Sequence, residues 1–102
     1  MAIVFVSVAP LGTATTSLSR YVAGVERILR ESGLKHQLTA MGTIIEGDID
    51  AILPVLRRMH EAPFAEGALR VSTQIKIDDR RDKPGTMEGK VRSVKEKLTG
   101  LT

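Results

Sequence analysis

Two periodicities alternate along the chain. From Ala2 to Ala9 a short run of β-branched, aromatic and small residues shows no helical spacing and is too short for a core helix. It predicts a buried central strand. Ile3, Phe5, Ser7 and Ala9 share one face, and Val4, Val6 and Val8 the other. Both faces are largely apolar, so both should be covered. The period then changes. Leu18, Tyr21, Val22, Val25, Ile28 and Leu29 recur at helical spacing, with Arg20, Glu26, Arg27, Arg30 and Glu31 mostly on the wet side. Gly33 stops that helix. The loop from Pro10 to Ser17 supplies several hydroxyl N-caps. It lacks the spacing of a P-loop or a dinucleotide fingerprint, so capping is favoured over phosphate binding.

His36 to Met41 reads as a second strand, Gly42 as a tight turn or bulge, and Thr43 to Gly47 as a third strand. On the third strand Ile44 and Glu46 share one face, and Thr43 and Ile45 the other. Asp48 or Asp50 caps a second helix with Ile49, Ile52, Leu53, Leu56 and Met59 on one side. Pro54 falls near its first turn, where proline costs least, and His60, Glu61 and Pro63 close it. Ala68 to Asp79 alternates again: Val71, Thr73, Ile75 and Ile77 against Arg70, Ser72, Gln74, Lys76 and Asp78. After a charged loop, Thr86 caps a third helix. Its Met87, Val91, Val94 and Leu98 are spaced 4, 3 and 4 apart, as in a seam against another helix, and Thr99 to Thr102 form a tail.

Strand, helix, strand, strand, helix, strand, helix is the order of a ferredoxin-like α+β sandwich in one domain, residues 1–102. A four-stranded antiparallel sheet would carry two helices on one face. Its other face would be bare, and that face predicts an oligomer with sheets facing or edges joined through the long last strand.

Composition narrows the chemistry. The chain has 102 residues, no cysteine and two histidines far apart in sequence. Thiolate catalysis, disulfides and Cys-based metal sites are excluded, and His36 and His60 read as surface or partly packed residues. Three aromatic residues and interspersed acids argue against nucleic acid as a partner. No apolar run reaches the ~20 residues of a membrane span, and no signal peptide is visible, so a cytoplasmic protein is expected. From Arg70 onward nine Lys/Arg stand against five Asp/Glu, which reads as a solvated charged surface. No triad or metal spacing is present, and Glu46 has no obvious partner for acid–base work, so an enzyme is not expected. The oddest local feature is Met41-Gly42-Thr43-Ile44-Ile45-Glu46-Gly47-Asp48, which sets a carboxylate within an otherwise apolar strand.

Over nearly its full length the sequence resembles the small thiamine-binding protein family. The resemblance rests on Pro10-Leu11-Gly12-Thr13, Ser32-Gly33-Leu34, Met41-Gly42-Thr43 with Ile45-Glu46-Gly47, and Gly67 with Arg70-Val71. It continues through Ile75 to Lys83, Lys90-Val91 and Ser93-Val94. It implies a ferredoxin-like dimer of dimers that binds thiamine or its hydroxymethylpyrimidine part without catalysis and without a cofactor. An aminopyrimidine needs an apolar slot and hydrogen-bond partners. Glu46 would accept from the exocyclic amine, Ser7, Thr43 and Thr73 would supply small polar groups, and Met41 and Ile44 apolar walls. The alternation does not put all of these on one face unless a bulge at Gly42 resets the register. Glu46 could instead pair with Arg70 or Lys76. Asp78, Arg80 and Arg81 read as a charged network at a subunit junction, with an anion site as the alternative. The competing function is a structural or regulatory oligomer that senses another small molecule or an anion.

Overall fold

A computed structural model of the chain describes residues 1–12 and 18–100. The hydroxyl caps expected within 13–17 and the last two residues of the tail lie outside the described residues. The elements are β1 (Ala2–Pro10), α1 (Ser19–Ser32), β2 (Lys35–Leu38), β3 (Thr43–Gly47), α2 (Ile49–Ala65), β4 (Val71–Asp79) and α3 (Met87–Gly100). The strands form one sheet in the order β2-β3-β1-β4, with every pairing antiparallel. This is the ferredoxin-like arrangement.

Burial follows the alternation of β1. Ala2, Val4 and Val6 point at the helices and pack with Ile45 of β3, Val25 and Leu29 of α1, and Ile52, Val55, Leu56 and Met59 of α2. Each fully buried aliphatic side chain stabilises the fold by roughly 1.5–3 kcal/mol. The register Val4↔Ile45 and Val6↔Thr43 puts Thr43 on this covered face. Ile3↔Glu46 and Phe5↔Ile44 put Glu46 and Ile44 on the other.

Several boundaries differ from the sequence reading, each for a local reason. β2 ends at Leu38, not Met41, because Thr39 closes the turn: its hydroxyl donates to the Gly42 carbonyl (2.6 Å) and accepts from the Met41 and Gly42 amides. Gly42 forms no bulge. A Cβ there would stand 2.7 Å from the Val6 carbonyl oxygen and 2.7 Å from the Phe5 ring, so the close approach itself requires glycine. α2 starts directly after Asp48, whose carboxylate accepts from the Asp50 amide. Pro54 is therefore its sixth residue, in the second turn. The helix also runs through Pro63, which is buried and whose carbonyl accepts from the Glu66 and Ala68 amides. Leu53 is largely exposed and Val55 takes its place in the buried stripe. α3 extends to Gly100, taking Thr99 into the helix. No described helix is long and apolar enough to cross a membrane.

Candidate functional site

The sheet is not paired evenly. β1 pairs with β4 from Ala2 to Pro10 but with β3 only from Ala2 to Val6. Past Val6, its β3-side edge is free of ladder partners among the described residues. The Val6 carbonyl points to that side, 2.7 Å from where a Gly42 Cβ would stand. Backbone groups alternate sides along a strand, so the Val8 amide and carbonyl point along the same open edge. Such groups seek a partner.

A pocket of about 220 Å³ lies at this edge, between β1, α1 and the β2–β3 turn. Val6, Val8, Val22 and Val25 make apolar walls, and Met41, 80% exposed, stands in the turn at its rim. Two polar side chains face each other there. The Thr43 hydroxyl, buried, donates to Glu26 Oε1 at 2.5 Å. Glu26 Oε2 lies 3.8 Å from His36 Nε2. His36 Nδ1 sits 2.8 Å from the Leu34 carbonyl, which can only accept, so Nδ1 carries a proton and Nε2 is the nitrogen turned to the carboxylate. Glu26 thus has accepting capacity left over after Thr43. The site offers a carboxylate, a hydroxyl and a backbone donor–acceptor pair within an apolar frame. At 220 Å³ it is smaller than the ~300–1,000 Å³ pockets that enclose drug-sized ligands, and suits a single substituted ring.

The structure divides the residues singled out from the sequence. Ser7, Met41 and Thr43 line this pocket. Ile44 and Glu46 lie on the opposite face of the sheet, beneath α3. Thr73 is elsewhere, bonded to His60 Nδ1 at 2.7 Å between β4 and α2. Glu46 pairs with neither Arg70 nor Lys76. Its cross-strand neighbour Lys35 places Nζ 3.2 Å from Glu46 and 2.8 Å from Glu88, and the Met87 amide donates to Glu46 at 3.5 Å. The pairing with Glu88, then with Glu46, holds the Lys35 ammonium above its usual pKa, and Lys35 holds Glu88 below the usual carboxylate range. The remaining charges are satisfied locally: Arg80 with Asp82, Arg81 with Asp79, and Asp78 with Lys90 at 2.6 Å. Arg70 and Lys76 are exposed. Among the described residues no three His, Asp or Glu side chains are grouped to hold a metal.

Glu26 and His36 are the site residues that the sequence reading missed. A signal for Glu26 existed. Val22, Glu26 and Leu29 are spaced by four and three, which puts the carboxylate on the flank of the buried stripe.

Residues 4–95 match the family described as "Thiamine-binding protein". The chain belongs to the thiamine-binding protein family. The UPF0045 protein YqgV of Bacillus subtilis (strain 168) is 49% identical over 102 residues, covering 96% of this chain and 98% of the relative. A UPF0045 protein of Methanothermobacter thermautotrophicus is 43% identical over 93 residues, covering 90% and 94%. The crystal structure of the hypothetical protein MJ1052 from Methanocaldococcus jannaschii superimposes with a TM-score of 0.83 at 36% identity, covering 93% of this chain and 96% of the other. The stretches that carry the sequence resemblance all fall within the span matched by the thiamine-binding protein family.

Proposed function

We propose that the chain is a non-catalytic cytoplasmic binding protein for thiamine or its hydroxymethylpyrimidine moiety, working as a homo-oligomer built as a dimer of dimers. The observation that carries the ligand reading is the free edge of β1 at Val8, set against Glu26 and Thr43 in a pocket sized for one ring. An aminopyrimidine presents a ring-nitrogen acceptor next to an amine donor. The Val8 amide and carbonyl match that pair, and Glu26 takes a further amine proton. In intact thiamine the cationic ring would project past Met41 toward solvent, with the Glu26 charge nearby. The family description supports a thiamine-class ligand.

The non-catalytic reading is supported by the family description, which names binding and no reaction.

Isothermal titration with thiamine and with hydroxymethylpyrimidine tests the reading, on wild type, Glu26→Gln and Glu46→Gln. Binding weakened at least tenfold by Glu26→Gln and little by Glu46→Gln supports the β1-edge pocket. The reverse order moves the ligand to the α3 face. No heat from either ligand up to millimolar concentration overturns the function.

A further inference from the structure

The β1-edge pocket changes character from its inside to its mouth. Inside, Val6, Val25 and Thr43 are buried. At the mouth, apolar side chains from three separate elements stand partly or largely in water. Val22 of α1 is 38% exposed, Leu38 of β2 56%, and Met41 in the β2–β3 turn 80%. Single exposed apolar side chains are common and need no explanation. Here three of them border one opening.

Met41 is carried on a fixed turn. The Thr39 amide and hydroxyl both donate to the Gly42 carbonyl, at 2.8 and 2.6 Å, and the same hydroxyl accepts from the Met41 amide at 3.3 Å. Gly42 abuts Val6 and Phe5 with no room for a side chain. The backbone under Met41 is therefore set before a ligand binds, and covering its thioether costs no ordering of the turn.

We propose that Val22, Leu38 and Met41 form a second subsite, which takes the flat cationic ring of intact thiamine. Leu38 and Met41 then make the protein prefer the two-ring molecule to its pyrimidine part. The inference rests on the reading of the pocket as a pyrimidine site. The 220 Å³ of the pocket suits one substituted ring, so the second ring lies outside it. One methylene joins the two rings of thiamine. A pyrimidine seated against Val8 and Glu26 therefore leaves the cationic ring at the mouth, against these side chains. Glu26 is the one charged side chain among the described residues that line the pocket, so the field there favours a cation. A thioether is polarisable and packs well on an aromatic ring. Hydroxymethylpyrimidine alone fills the inner part and leaves Leu38 and Met41 in water.

The test is calorimetric titration of thiamine and of hydroxymethylpyrimidine into wild type, Met41→Ser/Leu38→Ser and Met41→Leu. Wild type should bind thiamine roughly tenfold tighter than the pyrimidine, as expected when apolar surface worth about two methylene groups is covered. The double substitution should bring the two affinities together, chiefly by weakening thiamine. Both positions are exposed, so circular dichroism and melting should match wild type. Met41→Ser alone, at the most exposed of the three, carries the same test should the double variant melt early. Met41→Leu, close in volume, should keep the preference. A pyrimidine that binds wild type as tightly as thiamine, or substitutions that weaken both ligands by the same factor, overturns the second subsite and leaves the pyrimidine pocket standing. A thiamine preference that survives the double substitution also overturns it, and assigns the preference to the Glu26 charge. No heat from either ligand removes the pocket reading itself, and the subsite with it.

Discussion

β3 carries two buried polar groups three residues apart, and they are held in opposite ways. Thr43 and Glu46 are each 4% exposed. Thr43 lies on the face covered by α1 and α2 and is satisfied by one side chain of α1, next to a pocket with an open mouth. Glu46 lies on the other face and is satisfied by a cross-strand lysine and by an amide at the start of α3. The first arrangement leaves acceptor capacity unspent at Glu26, where a ligand can use it. The second uses Glu46 to fix α3. A buried carboxylate in a small sheet therefore need not face a pocket, and here the carboxylate that faces one comes from a helix.

The shared framework is the first place to break the comparison. Ile45 lies between the two polar groups, fully buried in the core. Ile45→Ala should cost about 2–5 kcal/mol by denaturant unfolding and loosen both ends of β3 at once. Val94→Ala, at an exposed position of α3, should stay within about 0.5 kcal/mol for unfolding of the domain.

Separating the two ends takes substitutions at the polar groups themselves. Glu46→Ala strands the Met87 amide and one contact of Lys35, and should cost about 1–3 kcal/mol. Its specific readout is limited trypsin digestion, since α3 holds Lys90, Arg92, Lys95 and Lys97. Early cleavage there, before the domain unfolds, is the expected result. Thr43→Val should cost about 1 kcal/mol, leave the α3 cleavage rate unchanged and lower ligand affinity, with Thr43→Ser restoring it. Accelerated α3 cleavage in Thr43→Val would show that the two ends are coupled through β3. Smaller again is Asp48→Ala, which removes the α2 cap next to Gly47 and should cost about 1 kcal/mol without touching either end.

These contacts show what a sequence can reveal. The alternation of β1, the stripe of α1 and the Gly33 stop are statements about neighbouring residues, and the family motifs lie on the same framework, so the fold was legible. The faces of β3 were legible too, and with an unbulged Gly42 they already separate Thr43 from Glu46. The partners were not. Glu26 meets Thr43 across 17 residues of sequence, and Lys35 meets Glu46 only once the β2–β3 register is fixed by the Thr39 turn. Pro54 and Pro63 suggested a shorter α2 than the one formed. Their missing donors are tolerated because buried Ile52, Val55, Leu56 and Met59 hold the helix on the core.

The smallest expected effect distinguishes the α3 anchor by its response to acid. Lys35 holds the Glu88 carboxyl below its ordinary range, and Lys90 does the same for Asp78. A carboxyl whose folded pKa is depressed adds stability above its unfolded value, and that contribution is lost as pH falls through the folded value. Both ordinary values lie near pH 4, so the attachment of α3 should hold at neutral pH and weaken below about pH 4. All of these groups are exposed, so the loss should be small and further reduced by salt, which screens exposed pairs. Trypsin is inactive in that range, so the readout is hydrogen exchange with pepsin digestion, following the first-turn amides of α3. Lower protection factors at pH 3 than at neutral pH, each taken against the intrinsic rate at its own pH, with β1 and β3 still protected, are the expected pattern. It should be blunted in Glu88→Gln, which has already lost its charge at neutral pH. Amides of α3 that keep their neutral-pH protection at pH 3 would show that Met87 and the sheet face hold the helix, with the charges adding nothing.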